Sequence, residues 1–265
     1  MSMNSPFEEN LPKNQANYSP LTPLSFLTRT AEVFPERTAI IHGEIKRSWR
    51  ETLKRCTRLA SALKKKGVVQ GTTVSVMAPN VPELLEAHFG VLRTGGVLNA
   101  LNIRLEAETL AYILEHGESQ VLITDREFSP VIQKVLQQLE DPLLVIDIND
   151  PMAEGGELLG EMDYEAFLKT GDENFEWNLP EDEWQAVSLN YTSGTTGKPK
   201  GGGLPQPRST SSSHRQYPCL GDAEASGLSL DAADVSLQWP VFPMDHHLIG
   251  RDSCLSEKSQ RSQHL

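Results

Sequence analysis

Five short apolar runs recur along the chain, and stretches of helical character lie between them. The runs are Thr72–Met77 (TTVSVM), Val97–Leu101, Gln120–Thr124 (QVLIT), Leu143–Ile148 (LLVIDI) and Ala186–Tyr191 (AVSLNY). Each is too short for a helix buried all round. Each is also too continuously apolar for a sheet with one wet face, and so predicts a strand buried on both sides. Between them, a helix opening at Asn80 and Glu83 and running through Arg93, and further helices over 106–115, 130–139 and 164–169, supply covering layers. Strands alternating with helices predict an α/β fold with a largely parallel sheet flanked by helices.

The segment before the first of these runs follows the same logic. Leu24, Leu27 and Ala31 predict a short helix before Pro35, and Thr38–His42 (TAIIH) predicts a strand. Ser48-Trp49-Arg50-Glu51 matches a capping box, in which the serine oxygen takes a first-turn N–H and the glutamate reaches back. The helix that follows places Leu53, Cys56, Leu59, Ala60 and Leu63 on one face and ends at Lys64-Lys65-Lys66-Gly67. Cations suit a helix C-terminus and glycine suits a left-handed cap. On that face Cys56 reads as a small buried hydrophobe; Cys56, Cys219 and Cys254 fit neither a zinc spacing nor a disulfide framework.

Composition excludes some partners. With 36 acidic against 24 basic residues, the formal charge of −12 repels phosphate backbones, so nucleic acid is not expected as a partner. No apolar run approaches the roughly 20 residues of a membrane span. The polar, Asn/Pro-containing start lacks the layout of a secretory signal, which predicts an intracellular protein.

One run carries chemistry. Immediately after the last apolar strand come Thr192-Ser193-Gly194-Thr195-Thr196-Gly197-Lys198-Pro199-Lys200-Gly201. Glycines let backbone N–H groups converge, hydroxyls add donors and lysines add positive charge, a combination suited to a polyphosphate. A loop following a strand of an open parallel sheet is also where ligands of such sheets bind. The run is not a Walker A loop, because Pro199 follows Lys198 where that pattern needs Ser or Thr opening a helix.

The stretch YTSGTTGKPKG, residues 191–201, resembles the phosphate-binding signature of the adenylate-forming (AMP-binding) superfamily: acyl-CoA synthetases, coumarate–CoA ligases, luciferases and peptide-synthetase adenylation domains. Segments beginning SPLTPLSFLTRTAEVFPERTAIIHG and WRETLKRCTRLASALKKKGVVQGTTVSVMAPN, and DEWQAVSLNYTSGTT, carry the resemblance over about residues 18–201, with the flavour of plant-type acyl-activating enzymes for small or medium carboxylic acids. The resemblance implies the incomplete N-terminal part of such an enzyme. It also implies ATP, Mg²⁺ and coenzyme A as co-reactants. In the implied reaction a carboxylate attacks the α-phosphate of ATP to give acyl-AMP and pyrophosphate, and coenzyme A thiol then displaces AMP. Carried over by residue, Thr192, Ser193, Gly194, Thr195, Thr196 and Gly197 would hold the β- and γ-phosphates, and Lys198 and Lys200 would supply charge, with Asn190 and Tyr191 supporting the loop. No catalytic residue and no metal ligand is assigned.

The expected organisation is therefore a loose arm over 1–17, a partial AMP-binding domain over 18–201 and an unrelated, irregular, disordered tail over 202–265. Past Gly201 no hydrophobic period and no helix or strand is read; His246 and His247 beside Asp245 are not taken as a metal site. Allowed codons for Leu228–Trp239 (LSLDAADVSLQW), shifted by one nucleotide, can be read as YLWTLPMFHCNG, which resembles the family's next motif, and in the same frame Gly201–Gln206 can be read as GVVYHS. The resemblance thus implies a reading-frame shift near codon 201. The residues for adenine, ribose, Mg²⁺ and the catalytic lysine would then lie in segments missing from this chain. The expected outcome is a chain without turnover, or alternatively a non-catalytic nucleotide-binding or regulatory isoform, in the cytoplasm or in peroxisomes.

Overall fold

The computed structural model describes residues 14, 16–177, 179–192 and 199–205, with the side chain of Pro205 excluded. Helix α1 (Leu24–Val33) buries Leu24, Leu27 and Ala31, the stripe expected from sequence. Strands β1 (Thr38–His42) and β2 (Ile45–Ser48) form an antiparallel hairpin turning at Gly43, whose φ of 55° is a left-handed value that glycine takes without penalty. Helix α2 (Trp49–Lys65) starts at the expected capping box, with Ser48 Oγ accepting from Glu51 N–H and the Glu51 carboxylate accepting from Ser48 N–H. Cys56 is fully buried on its apolar face, and burial pushes the thiol well up.

Strand β3 (Thr73–Met77) is buried at every residue. Helix α3 (Pro82–Arg93) begins differently from the sequence reading: its N-cap is Val81, which makes no side-chain cap bond, and Pro82 opens the first turn. Proline fits there because that N–H has no intrahelical partner in any case. Glu83 does not cap; it turns toward Arg47, 3.6 Å away. Then follow β4 (Val97–Ala100), α4 (Ala107–His116), β5 (Ser119–Asp125), α5 (Ser129–Leu136), β6 (Leu144–Ile148), β7 (Met162–Asp163), α6 (Tyr164–Lys169), β8 (Ala186–Thr192) and β9 (Lys200–Pro205).

The main sheet has the order β7-β6-β5-β3-β4-β8-β9. All neighbouring pairs from β7 through β8 are parallel, and only β8–β9 is antiparallel. From β3 the chain steps to β4 on one side, then returns across β3 to β5. Right-handed crossovers in opposite directions place their helices on opposite faces. The core shows this division. Val74, Val76, Val121, Ile123, Ile146 and Ile148 pack with α1, α2, α3 and α6, whereas Met77 and Leu122 pack with α4 and α5. Helices α2 and α3 approach closely on their shared face, where a Cβ on Gly90 would lie 2.5 Å from Leu59 Cδ2.

Two polar groups tie the covering helices together. Glu86, fully buried on α3, accepts from Arg47 Nη1 and Arg55 Nε, each at 2.6 Å, and from Tyr164 Oη at 3.1 Å. Burial raises its carboxyl while Arg55 and Arg47 oppose the rise. Arg93, also on α3, donates to Thr57 and Thr28 hydroxyls at 3.0 and 3.1 Å, and its guanidinium lies 4.3 Å from the Trp177 ring centroid.

The sequence reading missed β2, β7 and β9. Strand β9 is KGGGLP, with no alternation of side chains to announce it. Its order comes from the backbone of β8, along which Thr192 pairs with Lys200 and Leu189 with Gly203. Strand structure thus continues past Gly201 to Pro205, where the sequence predicts none.

Candidate functional site

Every parallel strand of the sheet ends at the same side, so Met77, Ala100, Asp125, Ile148 and Thr192 share one rim. Ligands of open parallel sheets sit outside this carboxyl rim, near the place where crossovers reverse direction. Here the reversal lies at β3 and β4, and β8 is beside β4. A shallow concavity between the ends of β4 and β8 is lined by Asn99, Ala100, Leu101, Asn102, Ile113, Asn190 and Tyr191. Asn99 is buried; its amide donates to Ser75 Oγ at 2.9 Å, while its Oδ1 has no hydrogen-bond partner.

Of the residues expected to hold phosphate, Thr192 and Lys200 are described; Ser193, Gly194, Thr195, Thr196, Gly197 and Lys198 lie outside the described residues. Thr192 ends β8 and Lys200 starts β9, and the two are direct cross-strand partners. Directly opposed residues project their side chains to the same face of a sheet. The antiparallel pair therefore brings a hydroxyl and an ammonium from the two ends of the Gly/Thr/Lys run to one face at the carboxyl rim. Both residues are exposed, as a site for a bulky polyanion requires.

Tyr191 is the residue before this run. Its hydroxyl lies 2.8 Å from Nδ1 of His116, at the last position of α4, and the two rings meet edge to face with centroids 5.7 Å apart. Burial pushes the Tyr191 hydroxyl above its usual range, so it is a neutral O–H group. Asn190 donates to Ser188 Oγ at 3.4 Å along its own strand. Sequence reasoning named Tyr191 and Asn190 as supporting residues but did not single out His116. The signal for it was thin: a histidine ending a helix also reads as a favourable cation at the helix C-terminus.

Thr192 and Lys200 offer a hydroxyl donor and a positive charge, groups that suit a phosphate oxygen. Among the described residues no group of three or more His, Cys, Asp or Glu side chains could hold a metal ion. Nor, among them, is any helix long and apolar enough to cross a membrane.

The AMP-binding enzyme family model matches residues 27–246. Over 206 residues the chain is 46% identical to a peroxisomal acetate/butyrate–CoA ligase of Arabidopsis thaliana, covering 73% of this chain and 36% of that protein. An acetate–CoA ligase of Humulus lupulus gives the same identity and coverage. A peroxisomal butyrate–CoA ligase of Arabidopsis thaliana is 41% identical over 202 residues, 73% of this chain and 35% of its own. The chain thus spans about a third of the length of these relatives. Among solved structures, an anthranilate CoA ligase in complex with anthranoyl-AMP superposes with a TM-score of 0.66 at 23% identity, over 77% of this chain and 38% of that one. A Mycobacterium tuberculosis fatty acyl CoA synthetase gives 0.61 at 21% identity, over 74% of this chain and 37% of its own. At these identities the structures establish the shared fold.

Proposed function

Since the chain belongs to the AMP-binding enzyme family, we propose that it supplies the phosphate-holding half of an ATP-dependent carboxylate–CoA ligase acting on a short-chain acid such as acetate or butyrate, the substrates in its relatives' names. The observation that carries this reading is the pairing of Thr192 with Lys200 at the carboxyl rim of a parallel sheet. The Thr192 hydroxyl donates to a phosphate oxygen and the Lys200 ammonium offsets charge on the same group. By family resemblance Ser193, Gly194, Thr195, Thr196, Gly197 and Lys198, which lie between them in the sequence, add further phosphate contacts. Bound ATP supplies the electrophilic α-phosphate at which a carboxylate reacts, and coenzyme A supplies the thiol that takes up the acyl group. Mg²⁺ belongs to the reaction by family resemblance. Among the described residues no group of three or more His, Cys, Asp or Glu side chains is placed to hold it.

For the 265-residue chain itself the reading is ATP binding without turnover. The resemblance assigns the adenine and ribose contacts, the metal ligand and the catalytic lysine to segments beyond residue 201, and reads 202–265 as out of frame with them. The compartment that fits is cytoplasmic or peroxisomal, the latter supported by the names of the relatives. Calorimetric titration with MgATP tests the reading directly. Lys200→Ala should weaken binding by about tenfold, the worth of one charge-assisted hydrogen bond, and no acyl-CoA should form from acetate or butyrate. Equal affinity in parent and variant would remove the phosphate role. Thioester formation by the chain alone would remove the claim of no turnover.

A further inference from the structure

The end of α4 is shaped around one side chain of β8. At Gly117, just past the helix, an added Cβ would lie 2.9 Å from Ile113 O, 3.1 Å from Leu189 Cδ2 and 3.3 Å from Tyr191 Oη. Yet Gly117 has an ordinary φ of −83°, and the left-handed value after α4 falls on Glu118, at 50°. The glycine is therefore where space is short, not where the backbone needs its freedom. On the other side, a Cβ on Gly201 would lie 3.1 Å from both Cε1 and Cζ of Tyr191. The tyrosine ring thus lies between two glycines, one after α4 and one in β9, with its hydroxyl on His116 at 2.8 Å. The His116 ring is backed in turn by Tyr112, 5.4 Å between centroids.

We propose that His116, acting through Tyr191, is a positioning residue that sets the spacing of Thr192 and Lys200 at the root of the phosphate-binding loop. With Nε2 protonated, His116 Nδ1 accepts from the Tyr191 O–H, which holds the far end of the tyrosine side chain in place over Gly201. The ring then bears on Gly201, the residue after Lys200 and the direct partner of Tyr191. Helix α4, anchored by the buried Leu110, Ile113 and Leu114, is the rigid body against which the strand pair is located. The inference rests on the phosphate-binding reading above and adds to it a residue distant in sequence.

The test uses the full chain with His116→Ala, Tyr191→Phe, the double variant, and His116→Asn, whose amide oxygen takes the place of Nδ1. Amide hydrogen exchange is read without ligand, and MgATP affinity is read by titration. The expected result is faster exchange in β8 and β9 for His116→Ala and Tyr191→Phe, unchanged exchange in β3 and β5, and ATP affinity weaker by roughly two- to tenfold, the range of one net hydrogen bond. The double variant should lose no more than either single variant, and His116→Asn should restore most of the loss. If parent and Lys200→Ala differ in affinity while His116→Ala and Tyr191→Phe match the parent, the positioning role is overturned and the phosphate reading stands. If the parent shows no ATP binding, both fall. Additive losses, or exchange raised across the whole sheet, would show a general structural effect and overturn the role as well.

Discussion

Removing the Glu86 carboxylate should be among the most damaging single changes to this fold. One of its oxygens accepts from two guanidinium groups at 2.6 Å and the other from Tyr164. The carboxylate is fully buried, and the Arg47 and Arg55 side chains are only 13% and 16% exposed. Glu86→Ala therefore leaves two nearly buried cations facing a void. Loss of one partner of a buried ion pair costs about 3–5 kcal/mol. Two features pull the expected value toward the low end: Arg55 keeps its contact with Glu165, and Arg47 keeps Glu83 at 3.6 Å and Glu165 at 3.8 Å. The expectation is about 3 kcal/mol, a large part of the roughly 5–15 kcal/mol of a typical domain. Urea unfolding followed by tryptophan fluorescence measures it as a fall in midpoint at constant slope. Glu165→Ala is the control: it meets the same arginine, but its carboxylate is 52% exposed, and it should cost less than about 1 kcal/mol. If the two variants cost the same, burial is not what gives Glu86 its weight and the reasoning fails.

Two further expectations concern the rim and the end of α4. The Asp125 carboxyl is pushed up to about 6 by burial, with Asp150 and Glu127 adding to the rise and the Glu127 N–H opposing it. The folded value lies above the unfolded one of about 3.9, so stability is greatest below that value and is lost as pH rises through about 6. Asp125→Asn, uncharged throughout and still able to accept the Glu127 N–H, should be more stable than the parent near about pH 7.5 and equal to it below about pH 4; a gain of equal size at both pH values would refute the assignment. Glu118→Gly relieves a left-handed φ of 50° and should raise stability by about 1 kcal/mol in thermal unfolding. Gly117→Ala, one residue earlier, should lower it, and the opposite order would overturn the account of that turn.

Local signals in the sequence carried most of the fold. The capping box at Ser48, the helix over Tyr164–Lys169 and the strand Thr38–His42 each rest on neighbours in the chain, and each occurs where expected. The alternation of apolar strands with helices predicted the parallel sheet because burial on both faces leaves a continuous apolar run. What was not legible depended on partners distant in sequence. Glu86 reads as an ordinary polar position in a helix until the hairpin brings Arg47 to it across 39 residues. Asn80 and Glu83 share the spacing of a cap, but Pro82 starts the helix at Val81 and Glu83 goes to the hairpin instead. At the candidate site, Tyr191, Thr192 and Lys200 were visible because they belong to one contiguous run. His116 was not, because its relation to that run spans 75 residues.

The make-up of β9 bears on the positioning role proposed for His116. Among the described residues β9 is the last strand of the sheet, and its three glycines contribute almost no side-chain packing: a Cβ at Gly202 would meet nothing within 4 Å, and one at Gly203 only Ala186, at 3.9 Å. Backbone pairing alone must then hold Lys200 opposite Thr192, and an edge strand with little side-chain burial opens more easily than a central one. Glycines at 201–203 cannot be helped by larger residues at 201, where the Tyr191 ring already occupies the space. Tyr191 answers this by carrying packing that β9 lacks, and it does so only if its ring is fixed. In the positioning role proposed for His116, the fixing group comes from α4, whose apolar face is buried, so the order of Thr192 and Lys200 would be drawn from the interior of the domain instead of from the strand pair on which they stand.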